Sequence, residues 1–243
     1  MPLYVGTSGY VYRHWRGLFY PEDLPSHKWL QFYADHFNTV EINATFYRIP
    51  KSSTVKGWLR RVPKEFLFTV KANRLITHQK KLKGVEEALI KFFTAVAPVQ
   101  QRCGCVLYQL PPSLRRDDAL LSDFCALLKE RYPNWRHAVE FRNNSWLCDA
   151  VFDILRRHNV CYVLVSGRGQ EFREIATADF LYLRFHGVTH WYDYNYSDEE
   201  LREWAECARR LGAPRIPTFA YFNNDSNAYA TKNATRFMEL LNG

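Results

Sequence analysis

The chain has 243 residues and 47% apolar content, enough for a sizeable core and close to the usual length of a (β/α)8 barrel. Lys and Arg (33) exceed Asp and Glu (25) by 8, which favours an anionic partner: phosphate, an acidic metabolite or nucleic acid. No apolar run approaches the roughly 18 residues a membrane span needs, and the N-terminus has no signal-peptide pattern.

The six cysteines, Cys103, Cys105, Cys125, Cys148, Cys161 and Cys207, form no CxxC pair. Reduced, mostly buried thiols in a cytoplasmic protein are expected. The basic residues are scattered along the chain, so a basic soluble enzyme fits the composition as well as a nucleic-acid binder does.

Leu3 to Thr7 reads as a first strand, followed by a Gly/Tyr/Trp-rich loop from Gly9 to Pro25. Ser26 precedes a helix with Trp29, Leu30, Phe32, Tyr33 and Phe37 at helical spacing. The second strand opens at Thr39, where Val40 and Ile42 alternate with Glu41 and Asn43, and Tyr47-Arg48 follow. Ser52-Ser53-Thr54 leads a helix that stops before Pro63. Phe66 to Lys71 is a third strand, and its loop carries Ile76-Thr77-His78. Gly84 to Ala97 has a broad apolar helical face. Cys105 to Leu110 is a fourth strand, ended by Pro111-Pro112, and Asp117 to Tyr132 is a helix. Ala138 to Arg142 is a fifth strand, then Asn143-Asn144-Ser145-Trp146 and a helix over Val151 to Arg157.

Cys161 to Val165 is a sixth strand. No helix is visible after it, and Gly167-Arg168-Gly169 reads as loop. Phe180 to His186 is a seventh strand, and Ser197 with Glu200 has capping-box spacing before a helix to Leu211. Thr218 to Asn223 is an eighth strand, and a last helix ends at Leu241. Eight strands mostly alternating with helices, without linkers, predict one α/β domain over residues 1–243. Its sheet is parallel and closed: a (β/α)8 TIM-like barrel with a loop in place of the helix after strand six.

In a barrel, alternate strand residues point inward. The apolar parity of each strand sends Glu41, Asn43, Thr69, Lys71, Gln109, Ala138, Glu140, Arg142, Tyr182, Arg184, His186, Tyr221 and Asn223 to the interior. The polar ones cluster at the C-terminal strand ends, where barrel enzymes keep their sites. A buried carboxylate or guanidinium needs a partner, and Glu41 and Glu140 nearly balance Lys71, Arg142 and Arg184. A self-satisfied ion network is the alternative to a ligand site.

Seven stretches carry a whole-chain resemblance: Gly6-Thr7-Ser8-Gly9-Tyr10 with Trp15 and Phe19-Tyr20-Pro21; Glu41-Ile42-Asn43 with Thr45-Phe46-Tyr47-Arg48; Ile76-Thr77-His78; Gln109-Leu110-Pro111-Pro112; Val139-Glu140-Phe141-Arg142 with Ser145-Trp146; Arg184-Phe185-His186-Gly187; and Tyr221-Phe222-Asn223-Asn224-Asp225. The chain resembles the YecE-like family, a widespread domain of unknown function. The resemblance implies a TIM barrel and brings no assigned catalytic residues. A fold-level likeness to sugar-phosphate isomerases and barrel-type DNA-repair endonucleases suggests substrates only by analogy.

Several chemistries fit the inward set. Glu41 or Glu140 can serve as general base or acid with His186 as proton partner. Arg142, Arg184 and Lys71 can clamp a phosphate or carboxylate. Asn223-Asn224-Asp225-Ser226, ahead of the last helix, offers either backbone N–H groups for an anion or a plain helix cap. Trp15, Trp146, Trp191 and Tyr47 can stack a sugar or base, or simply seal the mouth. Asn43, Arg48, His78, Gln109 and Tyr221 complete the expected binding surface. A glycosidase needs carboxyls about 5–9 Å apart, which strands two and five argue against.

His186, His78, Glu41 and Glu140 are the nearest thing to a metal set, but too few histidines fall at strand ends, and neither metal nor cofactor is expected. There is no Ser-His-Asp signature and no Rossmann glycine motif. The expected protein is therefore an enzyme of hydrolase or isomerase type, using acid/base chemistry on an anionic, phosphate-bearing small molecule or nucleic acid. The alternative is a non-catalytic nucleic-acid-binding barrel, in which Arg13, Arg16, Lys80, Lys81 and Lys83 join Tyr10, Tyr12, Trp15 and Tyr47. Nothing in the sequence sets an oligomeric state.

Overall fold

The structure, a computed structural model, describes residues 3–243; Met1 and Pro2 lie outside the described residues. Eight parallel strands pair in the order β1-β8-β7-β6-β5-β4-β3-β2. They are β1 (Leu3–Thr7), β2 (Thr39–Ile42), β3 (Leu67–Lys71), β4 (Cys103–Gln109), β5 (His137–Glu140), β6 (Val160–Ser166), β7 (Leu181–Phe185) and β8 (Thr218–Phe222). Helices α1 (Trp29–Ala34), α2 (Ala44–Tyr47), α3 (Ser52–Leu59), α4 (Glu86–Val96), α5 (Asp118–Arg131), α6 (Asp149–Arg157), α7 (Asp198–Arg210) and α8 (Tyr229–Asn242) connect them. The fold is an α/β, TIM-like barrel. β6 runs to β7 without a helix, and Ser197 and Glu200 form the capping box of α7. No helix of the described residues is long and apolar enough to cross a membrane.

The inward parity holds. Cys105, Leu107, Ala138, Cys161, Val163, Val165, Tyr182, Phe219 and Tyr221 fill the barrel as their own cluster, apart from the core between strands and helices. Tyr4 stacks on Phe219 at 4.9 Å in the lower barrel. Above it, the Tyr221 hydroxyl lies 2.8 Å from Thr39 Oγ1 and 2.7 Å from Thr69 Oγ1. The interior is thus packed up to the level of the strand ends, and only the mouth is left for a ligand. All six cysteines are free, with burial pushing the Cys103 thiol up to about 12.

Closure is incomplete in one place. β1 and β2 share no ladder, only a bridge between Ser8 and Glu41, with Gly9 N–H donating to the Glu41 carbonyl at 2.8 Å. The Tyr33 hydroxyl fills the gap: it accepts from Thr7 N–H at 2.8 Å and donates to the Thr39 carbonyl at 3.1 Å. Gly6 permits this approach, because a Cβ there would lie 2.2 Å from the Thr39 oxygen. Tyr33→Phe leaves a buried N–H and a buried carbonyl without partners, a loss expected to cost about 2 kcal/mol. Urea unfolding should show that loss as a lower midpoint with an unchanged slope.

Candidate functional site

The strands deliver their carboxylates to one guanidinium. Arg184, at the end of β7, donates from Nη2 to Glu41 Oε1 at 2.6 Å and from Nη1 to Glu140 Oε2. Tyr182 donates its hydroxyl to Glu41 Oε2 at 2.5 Å. Arg142, just beyond β5, pairs with Glu140 Oε1 and donates from Nη2 to His186 Nε2 at 2.9 Å. The side-chain amide of Asn223, after β8, lies 3.0 Å from His186 Nδ1. One chain of polar contacts therefore ties β2, β7, β5 and β8 together at the mouth. Glu41 and Glu140 are fully buried, and Arg184 and His186 are 1% exposed.

The protonation states follow from these partners. Burial alone would raise the Glu140 pKa, but Arg142, Arg184 and Lys71 bring it below the ordinary carboxylate value. His186 is pushed well below the ordinary imidazole value by burial, then by Arg184, Arg142 and Lys71. An arginine can only donate, so Nε2 is the bare nitrogen and Nδ1 carries the proton. The Asn223 amide nitrogen is set at that Nδ1, where two donors would face each other, so donor matching reverses the amide and makes its oxygen the acceptor of Nδ1–H.

A second set of side chains faces outward from this network. Lys71, at the end of β3, is partly exposed; its Nζ donates to Gln109 Oε1 at 2.7 Å and lies 4.5 Å from the Phe46 ring centre. Its pKa is lowered to about 8 by burial and then by Arg184, with Glu140 and Glu41 acting in the opposite sense. His78 packs edge-on against Phe46 at 4.9 Å, and burial followed by Lys71 lowers its pKa. Arg142 stacks over Trp191 at 4.7 Å. Gly187, at φ 98°, turns the chain after β7, and Tyr192 N–H donates to the His186 carbonyl at 2.8 Å, which holds Trp191 near the network. Gln109, Pro112, Arg142, Gln170, Trp191 and Tyr192 line a cleft of about 460 Å³.

Other expected site residues stand elsewhere. Trp146 is buried, donates from Nε1 to the Leu114 carbonyl at 2.8 Å and stacks on Phe141, so it is packing rather than a stacking platform. Trp15 is buried too and donates to the Asp225 carbonyl at 2.8 Å. Tyr221 belongs to the barrel packing below the mouth. Asn224 is used in holding Tyr194 and Asn233. Neither Asp225 nor Ser226 caps α8, and the N–H groups of Ser226, Ala228 and Ala230 donate to backbone carbonyls, which leaves none of these for an anion. Tyr47 and Arg48 are exposed on the rim, away from the ion network. Asn43 is not in β2 but just past it, lining a second cleft of about 240 Å³ with Gly9, Tyr10 and Trp58.

One further residue comes from the structure. Ser8 is 1% exposed and continues β1 beside Glu41, and its hydroxyl has no partner; Asn43 Oδ1 is also buried and unpartnered. Ser8 was within reach of the sequence, since it follows Tyr4 and Gly6 in the inward parity of β1. Tyr182 was already in the inward set, but its bond to Glu41 was not. Among the described residues no three His, Cys, Asp or Glu side chains gather as a metal site. Glu41 and Glu140 are instead occupied by the Arg184 guanidinium.

A barrel whose C-terminal mouth holds such a network defines the protein's class by fold and by the residues at its strand ends. The chain belongs to the family described as "Protein of unknown function DUF72", matched over residues 4–243. It is 27% identical over 272 residues to the UPF0759 protein YunF of Bacillus subtilis, covering 98% of this chain and 94% of that one. It is 37% identical over 82 residues to YecE of Escherichia coli, 34% of this chain and 30% of that one. A DUF72 family protein from Thermotoga maritima superposes with a TM-score of 0.89 at 33% identity over the whole of both chains.

The depressed groups set the pH response of stability. Below the ordinary imidazole value of 6.5 the unfolded chain protonates at position 186 while the folded chain does not. The unfolded state then binds more protons, so stability falls as pH falls. His137, pushed down to about 4 by burial, adds the same sign, and the Glu140 contribution is lost at still lower pH. The urea midpoint should drop steadily from pH 7 to about 4, and His186→Gln should flatten that drop.

Proposed function

We propose that the chain is an enzyme performing acid/base chemistry on a phosphate-bearing small molecule bound at the barrel mouth. One observation carries the reading: the network holds three cations, Lys71, Arg142 and Arg184, against two carboxylates, Glu41 and Glu140, an excess of 3 − 2 = 1 positive charge. Excess charge in a poorly solvated site is unfavourable until an anion joins it.

Arg142 is the cation placed to receive that anion. It lines the cleft, is 10% exposed, and is fixed by Glu140, His186 and Trp191. Arg184 spends both Nη groups on the two carboxylates and acts through its neighbours. Glu41, Glu140 and His186 hold the cations rather than meet the substrate, which leaves His78 as the proton-transfer group facing the mouth. His78, with its lowered pKa, is neutral near pH 7 and suits a base.

Inorganic phosphate and a triose phosphate should each raise the melting temperature, chloride at equal ionic strength should not, and Arg142→Gln should abolish the gain. At 100 times Kd the gain corresponds to about 2.7 kcal/mol. An unchanged melting temperature, or an equal gain in the Arg142 variant, removes the reading.

The exposed rim aromatics favour a second reading, a nucleic-acid ligand. Tyr47 is 72% and Tyr192 48% exposed, and Tyr47 adjoins Arg48. Stacking with phosphate contacts would then bind single strands. Anisotropy titrations of a labelled oligonucleotide should show affinity falling steeply with salt; absent or salt-insensitive binding excludes it.

A further inference from the structure

We infer that Lys71 is an amine nucleophile that forms an imine with the carbonyl carbon of an aldehyde or ketone at the barrel mouth. The inference rests on the phosphate reading only for the anionic group of the substrate. The position of the amine rests on its own observations.

Lys71 ends β3 on the inward parity, partly exposed, and its hydrogen-bond partner Gln109 lines the 460 Å³ cleft. Among the described residues no carboxylate comes within ion-pair distance of Nζ, although two carboxylates stand in the same mouth. Both are taken by arginines. The ammonium has one neutral acceptor at 2.7 Å and an aromatic face at 4.5 Å. A lysine recruited for charge alone would sit against Glu140 or Glu41. This one is desolvated, set beside other cations and denied a counter-ion, which makes an amine easier to deprotonate and so more nucleophilic. Its lowered pKa, about 8, expresses the same surroundings. Such an amine is roughly a tenth unprotonated at pH 7, against a few parts in ten thousand for an ordinary lysine.

The step balances without a redox partner. The Nζ lone pair attacks the carbonyl carbon, the C–N bond forms and the carbonyl π bond breaks onto oxygen. A proton passes from nitrogen to that oxygen to give a carbinolamine. A second proton from solvent lets the C–O bond break with loss of water, leaving a protonated imine. That cation draws electrons from an adjacent C–H or C–C bond, as a lyase or isomerase of carbonyl compounds requires. The substrate class is a small aldehyde or ketone that also carries a phosphate.

The test is reductive trapping on the intact protein. Wild type is incubated near pH 7 with sodium cyanoborohydride and glyceraldehyde 3-phosphate, or with glyceraldehyde, and the adducts are mapped by peptide mass spectrometry. One adduct per chain is expected, on Lys71, formed about tenfold or more faster than on any other lysine. Lys71→Arg should lose it while keeping the thermal gain from inorganic phosphate. Adducts scattered over Lys80, Lys81 and Lys83 with Lys71 unmodified would overturn the inference, whether or not phosphate binds. Selective labelling by both aldehydes at equal rates, with no phosphate gain, would keep the amine role and remove the phosphate reading instead.

Discussion

The guanidinium of Arg184 is the contact on which the mouth depends. Glu41 and Glu140 arrive on β2 and β5, on different sides of the barrel, and neither could be fully buried alone. Arg184 divides its two Nη groups between them and makes two costly charges into one planar bridge. The bridge also holds strands together near the place where the sheet needs help. Glu41 stands beside Ser8 at the one seam without a ladder, so Arg184 anchors across the barrel the strand that Tyr33 and Gly6 fasten locally.

That arrangement separates support from contact. The fully buried residues fix one another, and the partly exposed residues are fixed by them. Arg142 is oriented by Glu140 below, His186 beside it and Trp191 above. His186 does this as a neutral ring, because an imidazolium would set a further positive charge against Arg142 and Arg184. A residue type common in catalysis here serves as an acceptor for arginine. The same partners lower the Glu140 pKa, so that carboxyl is held ionised and does not suit the general-acid role of a glycosidase pair.

Much of this was legible in the sequence, and for one reason. β-strand parity is strict, so a strand such as Thr39-Val40-Glu41-Ile42 states which side chains enter the barrel. The eight strands, the missing helix after β6 and the inward placement of Glu41, Glu140 and Arg184 follow from alternation. Where parity ends, the reading ends. Arg142 and Asn43 stand past the ends of their strands, and their orientation is set by partners far away in the chain. Trp146 and Asn224 read as ligand groups from residue type, but their side-chain N–H groups are taken by the Leu114 carbonyl and by Asn233. Of the possible anion site before α8, the N–H groups of Ser226, Ala228 and Ala230 meet backbone carbonyls, a pattern no local sequence discloses. Nor does sequence reveal that Lys71 meets Gln109 and neither of the two carboxylates.

The proposed roles of Arg142 and Lys71 are linked by charge. The excess positive charge eases proton loss at Lys71, the cation that can release a proton, since arginine cannot. A phosphate seated on Arg142 would supply a counter-charge and make a cation at position 71 easier to hold. Imine formation creates such a cation, turning a neutral amine into a protonated imine. Binding the anion and forming the imine therefore favour each other, because each offsets the charge the other brings. An aldehyde without phosphate would meet the same amine but lack the counter-charge that stabilises its product. Selectivity for a phosphorylated carbonyl compound would then arise from the charge balance that Arg184 establishes without touching the substrate.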